Sequence, residues 1–232
     1  MRGSDIKSTF CAARRAFALH CSALVLAAGA AGAQPASAPG SAAGHAPVLL
    51  VVGDSLSAEY GLARGSGWVA LLEARLAQQK LALRVVNASI SGDTTSGGRA
   101  RLPALLAQHR PQVVVIELGA NDALRGLPLA GTQTNLAAMT AAAKAAGAKV
   151  VIVGMAVPPN YGRQYSLDFI ALFGKVAQAQ GAALVPFLLA GVADGADADE
   201  MFQPDRIHPK AQAHLRMLDN VWPVLRPLLR QL

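Results

Sequence analysis

An α/β fold with a five-stranded parallel sheet covered by helices on both faces is what this sequence predicts, and three observations carry the prediction. Short apolar runs rich in valine alternate along the chain with longer segments of helical period, the pattern of βαβ units joined by right-handed crossovers. These runs are apolar at nearly every position rather than at every second one, as strands buried on both faces are. The first of them, Val48-Leu49-Leu50-Val51-Val52, runs straight into Gly53-Asp54-Ser55, a sharp turn at the carboxyl end of a strand, where open α/β sheets place their ligands.

The elements follow in order. Residues 68–79 put Trp68, Leu71, Leu72 and Leu76 on one helical face, so this segment covers the sheet. Leu83 to Asn87 forms the second strand, and the loop 88–94 is dense in residues that start helices. Thr95 to His109 is a helix ended by Arg110-Pro111, Val113 to Leu118 the third strand, and Gly119-Ala120-Asn121-Asp122 a turn. Residues 132–146 form an alanine-rich helix closed by Gly147, and Lys149 to Gly154 form a strand. A proline-rich loop from Met155 to Gln164 precedes a helix over 166–180, and Ala183 to Pro186 is the last strand. Residues 209–231 are helical with interruptions at Pro223 and Pro227.

With 232 residues, 53% of them hydrophobic, the chain can bury one full core, and no internal repeat divides it. The amino terminus differs in kind. Arg14 and Arg15 precede an apolar run from Ala16 to Ala30, and Ala31-Gly32-Ala33 has the small-x-small pattern of a signal-peptidase site. Residues 1–33 therefore read as a cleaved secretory signal, 34–46 as a flexible tether rich in Ala, Ser, Pro and Gly, and 47–232 as the folded domain. His20 within the run argues against an uncleaved membrane anchor. The expected product is periplasmic or secreted, without stable membrane insertion, and acts as a monomer.

Both cysteines, Cys11 and Cys21, lie in the signal, so no disulfide or thiolate metal site is expected after cleavage. The signal also carries three net positive charges, which lowers the formal +7 to +4 for the remainder. The basic residues are scattered, without the clustered stripe that nucleic-acid binding needs.

Ser55 is inert as a nucleophile unless a base takes its proton. Of five histidines, His20 lies in the signal, His45 in the tether, His109 at a helix end and His214 in the terminal helix. His208 alone stands in a loop after the last strand, and Asp205, three residues earlier, can reach its ring and fix the tautomer. The loops after the first three strands carry Ser55, Gly92 and Asn121 to the same sheet edge. The backbone N–H groups of Ser55 and Gly92 and the side-chain amide of Asn121 then offer three donors for the oxyanion of a tetrahedral intermediate.

These blocks resemble a family. Gly53-Asp54-Ser55-Leu56-Ser57, Gly92 within Ser89-Ile90-Ser91-Gly92-Asp93, Gly119-Ala120-Asn121-Asp122 and Asp205-Arg206-Ile207-His208-Pro209 are similar to the four signature blocks of the SGNH/GDSL hydrolases, in the same order. Asn87 to Thr94, Ala100 to Leu106, Glu117-Leu118-Gly119 and Pro159 to Arg163 resemble its periplasmic multifunctional thioesterase/lysophospholipase/arylesterase group, and the resemblance spans Val48 to the end. It implies a flavodoxin-like α/β/α sandwich with Ser55 as nucleophile, His208 as base, Asp205 as the orienting carboxylate, and Ser55, Gly92 and Asn121 as the oxyanion hole. It also implies acyl thioesters, lysophospholipids and carboxylic esters as substrates, with no metal or other cofactor. The loops 123–128 and 155–164 would flank the acyl group, making Leu124, Leu127, Met155, Val157, Pro159 and Tyr161 the expected substrate contacts. Ala120, where the group usually has glycine, and Met155-Ala156-Val157 depart from its commoner pattern.

Other readings are weaker. Asp54, Asp93 and Asp122 read as structural, holding loops through local hydrogen bonds. A metal cluster of His214, His208 and Asp205 is disfavoured by the helical setting of His214, which should face solvent or neighbours. No Gly-x-Gly-x-x-Gly, Walker loop or Gly-x-Ser-x-Gly elbow occurs. A deacetylase of cell-envelope carbohydrate would use the same residues, and a lipid-binding protein of the same fold would use none of them catalytically.

Overall fold

The computed structural model describes residues 46–232; the expected signal and tether, up to position 45, lie outside the described residues. Five strands form one sheet: β1 (Val48–Gly53), β2 (Arg84–Asn87), β3 (Val113–Glu117), β4 (Lys149–Val153) and β5 (Ala183–Val185). Their order is β2-β1-β3-β4-β5 and every pair is parallel, as the buried apolar runs require. β1 and β3 lie side by side, Leu49–Gly53 against Val113–Glu117, and both are buried throughout. The chain leaves β1 toward β2 and returns past it to β3, so the order reverses here and the loops diverge. This is the crevice in which such sheets bind ligands.

Helices α1 (Trp68–Gln78) and α7 (His214–Leu229) pack together against one face. On the other, α2 (Thr95–His109) packs on α4 (Leu129–Ala145), and α4 on α5 (Arg163–Gln180). Trp68, Leu72 and Leu76 of α1 are buried, with Val69 taking the place expected of Leu71. On α5, Phe169 and Phe173 meet edge to face at 5.1 Å.

The differences from expectation have local causes. Asn121 sits not in a plain turn but in a short helix, α3 (Ala120–Leu124), launched by Gly119 at φ 129°. A side chain at position 119 would press on Phe173, so glycine serves both the backbone and the packing. Helix α4 begins three residues earlier than predicted, directly after Pro128, since proline is harmless just before a first turn. α5 likewise extends back to Arg163, and the loop ahead of it holds a single turn, Pro159–Tyr161. Pro223 and Pro227 do not interrupt α7. Both are exposed, so the carbonyls they leave unpaired lie on the solvent side, while Met217, Leu218, Val221, Leu225 and Leu229 form a buried stripe that holds the helix down. A further short helix, α6 (Ala198–Met201), was not anticipated.

Candidate active site

Ser55 follows β1 in a turn closed by hydrogen bonds from the Ser57 and Ala58 N–H groups to the Asp54 carbonyl. Its Oγ lies 2.9 Å from His208 Nε2, and His208 Nδ1 lies 2.7 Å from Asp205 Oδ2. Asp205 Oδ1 accepts from the N–H groups of Ile207 and His208 at 2.9 and 3.0 Å. That fold-back needs the left-handed conformation of Arg206, φ 56°. Burial pushes the Asp205 carboxyl up, but the hydrogen bonds from His208 and Ile207 outweigh it and hold it at about 2. An ionised carboxylate can only accept, so Nδ1 carries the ring proton and Nε2 is left as the acceptor facing the serine hydroxyl.

Asn121 reaches the same place from α3. Its Nδ2 donates to Asp54 Oδ2 at 3.0 Å, which fixes the amide plane and leaves the second N–H for a ligand. Gly92, after β2, adopts φ 77°, and its carbonyl accepts from Arg125 Nη2 at 2.7 Å. Among the described residues neither the Ser55 nor the Gly92 N–H has an acceptor. Arg101 anchors the Gly92 loop by pairing with Asp93 at 2.8 Å and donating to the Ala88 carbonyl.

A cavity of about 540 Å³ opens beside Ser55 and His208, within the range of small-molecule sites. It crosses the carboxyl edge of the sheet from β1 toward β5. Its lining passes from Ser55 to Asn121 and Leu124, then Met155 and Val157, and reaches Phe187 and Leu189 beyond β5.

Residues 51–216 match the model of the GDSL-like lipase/acylhydrolase family. The chain belongs to that family. Esterase TesA of Pseudomonas aeruginosa is 55% identical over 184 residues, 79% of this chain and 90% of that protein. Thioesterase 1/protease 1/lysophospholipase L1 of Escherichia coli strain K12 is 41% identical over 187 residues, 81% of this chain and 87% of that protein. The crystal structure of the psychrotrophic esterase EstA from Pseudoalteromonas sp., inhibited by monoethylphosphonate, is 38% identical. It superposes with a TM-score of 0.74, covering 79% of this chain and 98% of that one. The chain is thus a GDSL-family acyl hydrolase with that family's α/β fold.

Within this GDSL-family fold, the expected substrate contacts divide. Leu124, Met155 and Val157 line the cavity. Leu127 does not: it follows the end of α3 and stands exposed. Tyr161 also lies outside the lining, stacked on Tyr165 with its hydroxyl 3.4 Å from the Leu124 carbonyl, so it braces the wall from behind. Pro159 stands in the short turn beside it. The opposite wall, with Phe187, Leu189, Ala193, Ala198 and Phe202, escaped sequence reasoning because nothing in residues 187–202 marks where that segment folds.

The aspartates next to the blocks work at longer range than expected. Asp54 bonds Asn121 as well as its local partner, the Leu56 N–H at 3.0 Å. Asp122 receives the N–H and hydroxyl of Thr95 and the Thr132 hydroxyl, tying α3 to α2 and α4. Asp93 combines a neighbour, the Thr94 N–H at 2.9 Å, with Arg101 eight residues on. Burial pushes the Asp54 carboxyl up to about 6, against the hydrogen bonds from Leu56 and Asn121.

Beneath Asp54 lies Glu117, wholly buried at the end of β3. Its Oε2 accepts from the Ser57 hydroxyl at 2.7 Å, and that hydroxyl accepts from the Trp68 indole N–H at 3.1 Å. Burial, then the nearby Asp54 charge, raise the Glu117 carboxyl well above the usual range. A lone glutamate closing the run Val113-Val114-Val115-Ile116 was the signal that could have found it. His214 is buried and faces a neighbour: its Nδ1 accepts from the Trp68 backbone N–H at 3.0 Å.

Proposed function

We propose that this chain hydrolyses carboxylic esters, acyl thioesters and lysophospholipids through a covalent acyl-enzyme, with Ser55 as nucleophile, His208 as base and Asp205 as the carboxylate that orients it. One observation carries the reading: the 2.9 Å approach of Ser55 Oγ to His208 Nε2 at the end of a largely apolar cavity. Ser55 Oγ attacks the acyl carbon while its proton passes to Nε2. The carbonyl oxygen becomes an oxyanion that accepts from the N–H groups of Ser55 and Gly92 and from the Asn121 amide. Collapse of that intermediate breaks the acyl bond, and the proton on Nε2 goes to the departing alcohol or thiol. Water, deprotonated by the same nitrogen, then releases the acid.

The cavity wall of Leu124, Met155, Val157, Phe187 and Leu189 favours an apolar acyl chain over an acetylated sugar. All the groups the mechanism uses come from one chain, so a single copy suffices for the chemistry, in keeping with the monomer expected above. The charge and apolar run of residues 1–33 support export and cleavage, and hence a periplasmic or secreted enzyme. The test is Ser55→Ala assayed on p-nitrophenyl octanoate. The expected loss is on the order of 10⁴-fold or more, with the unfolding transition preserved; a variant that keeps most of its turnover excludes the mechanism.

A further inference from the structure

We propose that Tyr60 and Gln203 form a strap that positions His208 against Ser55, an inference that rests on the catalytic reading above. Tyr60 lies in the loop after β1 and is half exposed, yet its ring sits over the His208 imidazole, with centroids 4.3 Å apart and planes inclined by 37°. The two hydrogen bonds of the imidazole, to Asp205 on one nitrogen and to Ser55 on the other, both lie in its own plane. In-plane bonds resist sliding within the plane but leave rocking about the axis joining the two nitrogens almost free. A ring against the face removes that freedom.

The backbone continues the strap. The Tyr60 N–H donates to the Ser55 carbonyl at 3.3 Å. The Tyr60 carbonyl accepts from Gln203 Nε2 at 3.0 Å, and the same nitrogen donates to the Pro209 carbonyl at 3.2 Å. The Gln203 N–H in turn donates to the His208 carbonyl at 2.8 Å. A continuous chain of hydrogen bonds therefore runs from the backbone of the nucleophile to that of the histidine, across segments more than 140 positions apart. Gly61 completes it: its φ is 70°, and a Cβ there would collide with the Gln203 amide. Neither Tyr60 nor Gln203 lines the substrate cavity, so the strap acts through His208 and not on the acyl chain.

The test compares Tyr60→Ala, Tyr60→Phe and Gln203→Leu with the wild type, by steady-state kinetics on p-nitrophenyl octanoate and by thermal unfolding. Displacement of a reacting group by about 1 Å can cost about 100-fold, so Tyr60→Ala should lower kcat by roughly 10- to 100-fold with KM little changed. Tyr60→Phe, which keeps the ring and loses the hydroxyl, should restore most of kcat. Gln203→Leu should lower kcat alone, and Tyr60→Ala combined with Gln203→Leu should cost less than the two losses multiplied, since each releases the same histidine. Equal kcat in Tyr60→Ala and Tyr60→Phe, or a rise in KM as the main effect in either truncation, overturns the proposal. Ser55→Ala separates this failure from failure of the catalytic reading, because the strap can be wrong while Ser55 remains essential.

Discussion

Asp54→Asn tests the site's electrostatics and its geometry at once. In the folded protein burial pushes Asp54 up to about 6, against an ordinary value of 3.8. A raised carboxyl pKa means that the folded state binds the proton more tightly than the unfolded state. Stability from this group is therefore fully present below 3.8 and is lost as pH rises through about 6. At about 1.4 kcal/mol per pKa unit, ionised Asp54 costs the fold about 3 kcal/mol above pH 7, and about 1 kcal/mol of that returns between pH 7.5 and pH 5. Urea unfolding at those two pH values should show this gain in the wild type and lack it in Asp54→Asn, and subtracting the two proteins cancels the titrating groups that do not sense the Asp54 charge, Glu117 being one that does. The same substitution sets an amide against the Asn121 amide, whose Nδ2 now donates to Asp54 at 3.0 Å. With the one remaining amide oxygen kept by the Leu56 N–H, Asn121 turns away, and loss of one oxyanion donor lowers kcat by about 100- to 1,000-fold. An identical pH response in the two proteins, or one of opposite sign, would refute the burial argument; full activity in the variant would refute the positioning of Asn121.

Three further outcomes are expected. Ala198→Phe fills the wall of the cavity beyond β5, so the ratio of kcat/KM for p-nitrophenyl decanoate over acetate should fall by roughly tenfold or more; an unchanged ratio would mean that acyl chains do not reach that wall. Phe173→Ala empties a buried site against Phe169 and Gly119 and should cost about 3–5 kcal/mol in chemical denaturation. The Asp205 carboxyl, held at about 2, should keep its charge until pH falls through about 2, so Asp205 should not shape the acid limb of a kcat/KM profile measured above pH 4. A carbon-13 chemical-shift titration of the Asp205 carboxyl with its midpoint above pH 4 would count against this.

Much of the fold was legible because its signals are local. Strands buried on both faces must be apolar at every position, and helices between them must show an apolar stripe, so residues 48–52, 113–118 and 149–154 declare themselves whatever they pack against. Errors fell where tertiary packing overrides a local rule. Pro223 and Pro227 end a helix by propensity, yet the buried stripe from Met217 to Leu229 keeps α7 whole. Asn121 belongs to a turn by composition, yet Gly119 and the packing of Phe173 start a helix there.

The linear chain carries the chemical inventory: one serine at a strand end, one histidine and one aspartate in a loop after the last strand, and three oxyanion-donor candidates on loops that a parallel sheet carries to one edge. It determined these because alternation, turn residues and spacing along the chain are short-range properties. What surrounds that inventory comes from three-dimensional packing alone. Glu117 under Ser57, Tyr60 over His208 and the wall of Phe187, Leu189 and Phe202 beside the cavity depend on which distant segments come to lie side by side. Residues 60 and 208 meet because β1 lies inside the sheet and the last loop folds back over it, and no periodicity within either segment encodes that approach.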